Sequence, residues 1–521
     1  MKDLLKYARF FLELGPYLKQ ASTLGGSEDI IASRLAAREE NFLLLLKNGI
    51  FENPKSPYKA LFNIAKYSYY DAQNTVRRFG LEGALEAFRQ DGIFLSIDEF
   101  KGKKPLDRRG RTFIFNEKDF FNPCVNSFYS VKSGGSRSAG TNTEINLGFL
   151  EKRSVYYPLM IDMFGVKDAE AGIWFPGPPL GAGLLPFLQF AKSGNIASRW
   201  FTPTPICFSR RGGLKIMAAV MALYGMKFPY PELATLDDAE RIAEWMASVV
   251  RKGRGLVFLT YPSLAVRLCE AAAGKNIDIS GTTFWLAGEP ITEAKAQVIA
   301  GRGCAIIPIY AFMELGLLGF GCPQRASVET VHLAKDTVAV IQHKKDLPGL
   351  GASLDAFLFS SILPSSPKIL LNVESGDYGV IGRASCGCRA AKLGLDITIS
   401  DIQSFDKLNA EGMTLFIADL VPILEDVLPR AFGGGPLDYQ LLEEESGNKT
   451  VINLCVSPSV GDIDEQKLLG TVLSELKKIS RHTLPMAQLW AAASTLKIKR
   501  ALPQATRSSK IYPLFIKQEK T

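Results

Sequence analysis

Apolar residues recur every three to four positions in some stretches of the chain and run almost uninterrupted through short segments in others. Over residues 1–100 the first pattern prevails and predicts a mostly helical region. Leu4, Leu5, Phe11, Leu12 and Leu14 share one side of a helix, Leu43 to Leu46 form an apolar stretch, and Pro54 and Pro57 mark a break. From about 110 to 400 the two patterns alternate. GLVFLTYP (255–262), TTFWLAG (282–288) and CAIIPIYAF (304–312) read as buried strands ending in loops, and the segments between them have helical spacing. That rhythm predicts an α/β fold with parallel strands.

Beyond about 405 the order becomes helix, strand, helix. LFIADLVPILEDVLP (415–429) is amphipathic and INLCVSP (452–458) reads as a strand. In EQKLLGTVLSELKKIS (465–480), Leu468, Leu469, Val472, Leu473 and Leu476 fall on one helical face. The expected organisation is a large domain over 1–404 and a small α+β domain over 405–521.

Length supports that division, because 521 residues exceed what one hydrophobic core holds. A composition of 47% hydrophobic and 22% charged residues is that of a globular protein and excludes large-scale disorder. No apolar run is long enough to span a bilayer, and the N-terminus intersperses charge where a signal peptide would be apolar. Eight scattered cysteines fit reduced thiols and a cytoplasmic location. A net charge of +8 without a basic block favours small anions or an acidic protein partner over nucleic acid.

The most unusual local composition is SVKSGGSRSAGTNT (130–143). Gly134 and Gly135 permit a tight turn that presents several N–H groups to one anion; Ser133, Ser136 and Ser138 add hydroxyls, and Lys132 and Arg137 add charge. The Gly-Lys-Ser/Thr ending of a Walker loop is absent, which disfavours P-loop chemistry. Gly288-Glu289-Pro290 and the run Tyr310 to Glu314 each end a predicted strand, where open α/β sheets bind ligands. Taken singly, each is an ordinary Gly/Ser turn or strand-end loop.

As an ordered series these segments resemble the adenylate-forming (acyl-CoA synthetase) superfamily. SGGSRS (133–138) looks like its Ser/Thr/Gly phosphate loop and YPSLAVRL (261–268) like the helix after its central strand. AGEPIT (287–292) is similar to its adenine-side loop, YAFMELG (310–316) to its Y-G-x-T-E motif and SGDYG (375–379) to its T-G-D motif. The resemblance, over residues 100–515, implies that Ser133 to Ser138 wrap the ATP phosphates, Gly288, Glu289 and Pro290 line adenine, Tyr310 stacks on it, Glu314 holds magnesium and Asp377 binds the ribose hydroxyls. DIQSFDKLNAEG (401–412) resembles the hinge of the mobile C-terminal domain, with Gln403 where an arginine usually meets ribose. In LKIKRALPQATRSSKIYPL (496–514), Lys510 takes the place of the adenylation lysine, although a basic tail is more often simply solvated.

Cys322, His332 and the pair Cys386 and Cys388 resemble the pattern of the phenylacetate–CoA ligase-like branch, which includes acyl-protein synthetases of luminescent bacteria. There the four residues imply a structural zinc clamp, with His343 a less well matched ligand. The expected activity is ATP-dependent adenylation of an aryl or medium-chain carboxylic acid, then transfer to the thiol of CoA or a phosphopantetheine carrier protein. Met313, Gln403 and Phe405 depart from the family pattern. They keep open an ATP-independent acyltransferase on the same scaffold, or a non-catalytic partner subunit. The acid is unspecified, and a homodimer is compatible with the sequence without being required by it.

Overall fold

The computed structural model describes residues 2–125, 129–132, 142–178, 181–206, 208–346, 353–404, 407–410, 413–446, 449–479 and 496–516. The fold is α/β: one sheet of twelve strands, helices against it, and a separate four-stranded sheet formed by the C-terminal region.

In chain order the strands of the large sheet are β1 (Glu170–Trp174), β2 (Arg199–Thr202), β3 (Glu232–Leu233), β4 (Leu256–Thr260), β5 (Thr282–Ala287) and β6 (Ala305–Phe312). They continue as β7 (Gly316–Phe320), β8 (Val331–Leu333), β9 (Val338–Asp346), β10 (Ser353–Ser361), β11 (Val373–Arg383) and β12 (Ile397–Ser404). Their spatial order is β9-β10-β11-β12-β8-β7-β6-β5-β4-β1-β2-β3. The strands from β3 to β6 run parallel, and the sheet turns antiparallel at the β6–β7 pair.

Composition explains the division. In β4 every residue is buried, as in a parallel strand covered on both faces by helices. The covering helices Pro262–Gly274 and Glu293–Ala300 occupy the segments where the sequence predicts them. The antiparallel half came without a corresponding expectation, because its strands β9, β11 and β12 mix buried and exposed positions without the long apolar runs that mark β4 to β6. Helices of the first hundred residues, including Pro57–Ile64 and Tyr69–Gln90, pack with that half in a second apolar core.

A third core gathers Leu420, Leu428, Leu441, Leu454, Leu468, Val472 and Leu496. It lies between the helix Glu465–Ile479 and a sheet of β13 (Tyr439–Ser446), β14 (Lys449–Val456), β15 (Leu496–Arg500) and β16 (Leu514–Ile516), in the order β15-β14-β13-β16. Among the described residues no helix is long and apolar enough to cross a membrane.

Candidate functional site

β5 and β6 pair in parallel with Ala287 opposite Ile309, so Gly288 leaves the sheet beside Tyr310, which continues in β6 and pairs with Gly319 of β7. Gly288 has a φ of +85°, which an L side chain rarely adopts. A Cβ there would also lie 3.0 Å from Lys510 Nζ and 3.1 Å from the Tyr261 ring. The bare backbone is therefore what lets Lys510 enter. Its Nζ donates to the Gly288 carbonyl at 2.5 Å and stands 5.0 Å from the centre of the Tyr261 ring.

Lys510 comes from the far end of the chain, and a compact turn presents it. Thr506 N–H donates to the Lys510 carbonyl at 2.8 Å, Lys510 N–H donates back to Thr506 Oγ1 at 3.1 Å, and Ser509 holds a φ of +65°. A non-glycine residue in that region stores strain that the surroundings must hold. Burial pulls the Lys510 amine below its ordinary range, and the charge of Glu289 partly restores it.

Glu289 in turn caps a helix. Pro262 starts the helix Pro262–Gly274, where a missing N–H is harmless. The Ser263 N–H and hydroxyl both donate to the Glu289 carboxylate, each at 2.9 Å, which places negative charge on an N-terminal helix dipole. Burial pushes the Glu289 carboxyl up, against the pull of Lys295, Lys510 and the Ser263 bonds.

On the antiparallel side, the Tyr310 hydroxyl donates to Asp377 Oδ2 at 2.8 Å, and its ring packs edge-on against Phe312. Burial, with the nearby Asp377 charge, raises the Tyr310 phenol well above its usual range. Gln403 accepts a hydrogen bond from the Tyr378 hydroxyl. Glu314 sits half-buried in the turn between β6 and β7. The charge of Glu314 is felt by Lys368, a fully buried lysine that also donates to Glu117 at 2.8 Å and lies 4.6 Å from the Phe100 ring centre.

Gly288, Glu289, Tyr310, Asp377 and Lys510 thus come together at one mouth of the sheet. Ser133, Gly134, Gly135, Ser136, Arg137 and Ser138 lie outside the described residues, as do Phe405 and Asp406 of the expected hinge. Sequence reasoning did not assign Tyr261, Ser263 or Lys368 to this region. Tyr261 and Ser263 fall inside the segment YPSLAVRL, whose apolar look masks the one ring and one hydroxyl that matter. Lys368 gave no signal, being an isolated lysine in a loop.

The C-terminal region is also tied to the large sheet by Glu425. Lys295 Nζ donates to Glu425 Oε1 at 2.8 Å with both side chains only 3% exposed, and Thr292 Oγ1 donates to the other oxygen at 2.5 Å.

Among the described residues one group of metal-binding side chains is gathered, and it consists of Cys322, His332, Cys386 and Cys388, whose ligand atoms all lie within 4.8 Å of one another. Cys386 and Cys388 sulfurs are 3.4 and 3.3 Å from His332 Nε2. A tetrahedron with zinc–sulfur and zinc–nitrogen bonds of about 2.3 and 2.1 Å has sulfur–nitrogen edges of about 3.6 Å, so the donor set fits zinc in type, number and spacing. His332 Nδ1 lies 2.8 Å from the Leu395 carbonyl, the partner that fixes a ligating imidazole with Nε2 toward a metal. Hydrogen bonding from Cys322, His332 and the backbone pulls the Cys388 thiol well below its ordinary range, whereas the Cys322 thiol is pushed up by the same contact. His343 stands apart, against Glu374 at 3.4 Å. No disulfide forms among the described residues.

No protein-family model and no curated protein sequence matches the chain. Among solved structures it is similar to a 2-hydroxyisobutyryl-CoA ligase in complex with 2-HIB-AMP and CoA. That likeness has 12% identity and a TM-score of 0.48, covering 96% of this chain and 92% of the ligase. It is also similar to an acetoacetyl-CoA synthetase from Streptomyces lividans, with 12% identity and a TM-score of 0.43, over 78% of this chain and 56% of that one. A third likeness is to a structure from a study of fatty acyl-adenylate ligases of E. coli and L. pneumophila, with 13% identity, a TM-score of 0.43 and coverage of 78% and 70%. With all three scores below 0.5, the site is read from its own geometry.

Proposed function

We propose that the protein is an ATP-dependent acid–thiol ligase. A carboxylate oxygen of the acid attacks the α-phosphorus of ATP and pyrophosphate leaves. A thiolate then attacks the acyl carbon, AMP leaves and a thioester forms. The observation that carries this reading is Lys510, brought from the C-terminal region onto the Gly288 carbonyl at the mouth of the parallel strands. Two anions must meet in the first step, and a preorganised cation in a partly dehydrated site offsets their repulsion as charge redistributes.

In this reading Gly288, Glu289 and Pro290 border the adenine, Tyr310 packs against it, and Asp377 accepts from the ribose hydroxyls while Tyr310 orients its carboxylate. Gln403 contributes a neutral amide at the ribose edge. Ser133 to Ser138 hold the phosphates. Glu314 would hold magnesium, which would neutralise phosphate charge. Cys322, His332, Cys386 and Cys388 hold a structural zinc that ties the strand bearing Asp377 to β8 and the end of β7. A boundary near 404/405 separates the two domains.

An ATP-independent acyltransferase is the second reading. It is favoured by Lys368, a built-in cation within electrostatic reach of Glu314, where the first reading needs a metal. ATP–pyrophosphate exchange across a library of aryl and alkyl acids tests both. Exchange with at least one acid supports the ligase. Acyl transfer from acyl-CoA that is indifferent to ATP, without exchange, supports the alternative.

A further inference from the structure

The longest stretch of the chain without an acidic residue is 171–231, which contains no Asp or Glu but includes Lys192, Arg199, Arg210, Arg211, Lys215 and Lys227. Two of these cations are used internally: Lys192 is buried against Glu151, and Arg199 pairs with Glu232. Arg211, Lys215 and Lys227 are exposed. Every charged side chain within the stretch is therefore a cation.

The middle of this stretch is the helix Phe208–Leu223, inserted between β2 and β3. It buries Leu214, Met217 and Met221. Its opposite face exposes Lys215, Ile216, Ala219, Ala222 and Leu223, where a surface helix ordinarily carries polar residues. Ile216 is 49% exposed and Leu223 84%.

Nearby Tyr224, Tyr230 and Leu233 are exposed as well, so five of the thirteen strongly exposed large hydrophobics among the described residues fall between 216 and 233. Singly scattered apolar residues need no explanation, but Ile216 and Leu223 share the exposed face of one helix, and apolar residues grouped on one face mark an interaction surface. At the foot of the helix a cavity of about 830 Å³ is lined by Ile206, Arg211, Lys215, Tyr230, Pro231 and Leu233. An apolar floor with cations at the rim is complementary to an acidic, apolar-tipped protein surface.

We propose that this face docks a small acidic protein that carries the acyl-accepting thiol on a flexible arm, so that the acceptor is a carrier protein and not free CoA. The inference rests on the ligase reading. β2, which the helix Phe208–Leu223 follows in the chain, stands three strands, roughly 14 Å, across the sheet from β5, the strand that ends in the Gly288 loop, and a flexible arm can bridge a lateral offset of that size.

The test uses the full chain, phosphopantetheinylated acyl carrier protein as the probe, and the variants Lys215→Glu and Leu223→Asp. Both positions are exposed and outside the Gly288–Lys510 site, and thermal melts should match the parent. Expected results are a dissociation constant for the carrier raised roughly tenfold or more in each variant, and weaker parent binding as ionic strength rises. Pyrophosphate exchange should be unchanged. Carrier binding unaffected by both variants overturns the proposal, as does no carrier binding by the parent. A concentration-dependent dimer abolished by Leu223→Asp also overturns it, because a second copy then covers the face. If exchange is absent but carrier binding is still lost in Lys215→Glu, docking stands and the ligase reading falls.

Discussion

Replacing Lys295 with methionine would test how the C-terminal region is held against the large sheet. Lys295 and Glu425 are 3% exposed and 2.8 Å apart, and among the described residues the second Glu425 oxygen is bound by Thr292. Methionine keeps most of the aliphatic stem but leaves a carboxylate buried with one hydroxyl partner. Breaking one side of a buried pair typically costs about 3–5 kcal/mol, because the remaining charge is left desolvated. The C-terminal region can relieve that penalty by swinging away, so the opening equilibrium is the quantity to measure.

Each 1.4 kcal/mol is about tenfold, so amide exchange in Glu293–Ala300 and Ile423–Val427 should accelerate roughly a hundred- to several-thousand-fold. The double variant Lys295→Met/Glu425→Leu removes both charges, and its exchange should return to within about tenfold of the parent. Hydrogen–deuterium exchange read by mass spectrometry follows both segments at once. Exchange in Lys295→Met within about twofold of the parent would refute the reasoning, because it would mean that Glu425 is already solvated in solution.

Zinc content should be about one per chain when the protein is purified without added metal. In Cys388→Ser it should fall to a small fraction of that, with a lower melting temperature, as measured by elemental analysis and calorimetry. Lys510 predicts an alkaline limit. Burial lowers its amine pKa, so the charge needed for adenylation is lost below the usual lysine value of about 10.4, and pyrophosphate exchange should decline there; Lys510→Arg should abolish that limb. The linkage sign follows: the stability tied to the neutral amine is present above the unfolded-state pKa and lost as pH falls through the folded one, so keeping Lys510 charged at neutral pH works against folding. Gly288→Ala puts a Cβ 3.0 Å from Lys510 Nζ at a φ of +85°. It should cut exchange by roughly a hundredfold or more while the zinc content stays unchanged.

Much of the architecture was legible in the residues themselves. The buried runs of β4, β5 and β6 are nearly all apolar because both faces are covered, and that local fact needs no knowledge of neighbours. The helix Glu465–Ile479 likewise announces its buried face through Leu468, Val472 and Leu476. The four residues Cys322, His332, Cys386 and Cys388 were grouped by the family resemblance, since chemical kind alone does not select them from eight cysteines and three histidines.

What only the tertiary structure decided is which groups meet. Lys510 and Gly288 are 222 positions apart, and Lys295 and Glu425 are 130 apart. No local periodicity encodes such pairings, because they depend on how the C-terminal region sits against the large sheet. The antiparallel half was hidden for a related reason: its strands are buried by helices from the distant N-terminal hundred residues, so their pattern makes sense only once those helices are in place. The exposed apolar face of Phe208–Leu223 is the converse case. Ile216 and Leu223 look no different in sequence from the buried Leu214 and Met217, and only the fold decides which of them face water.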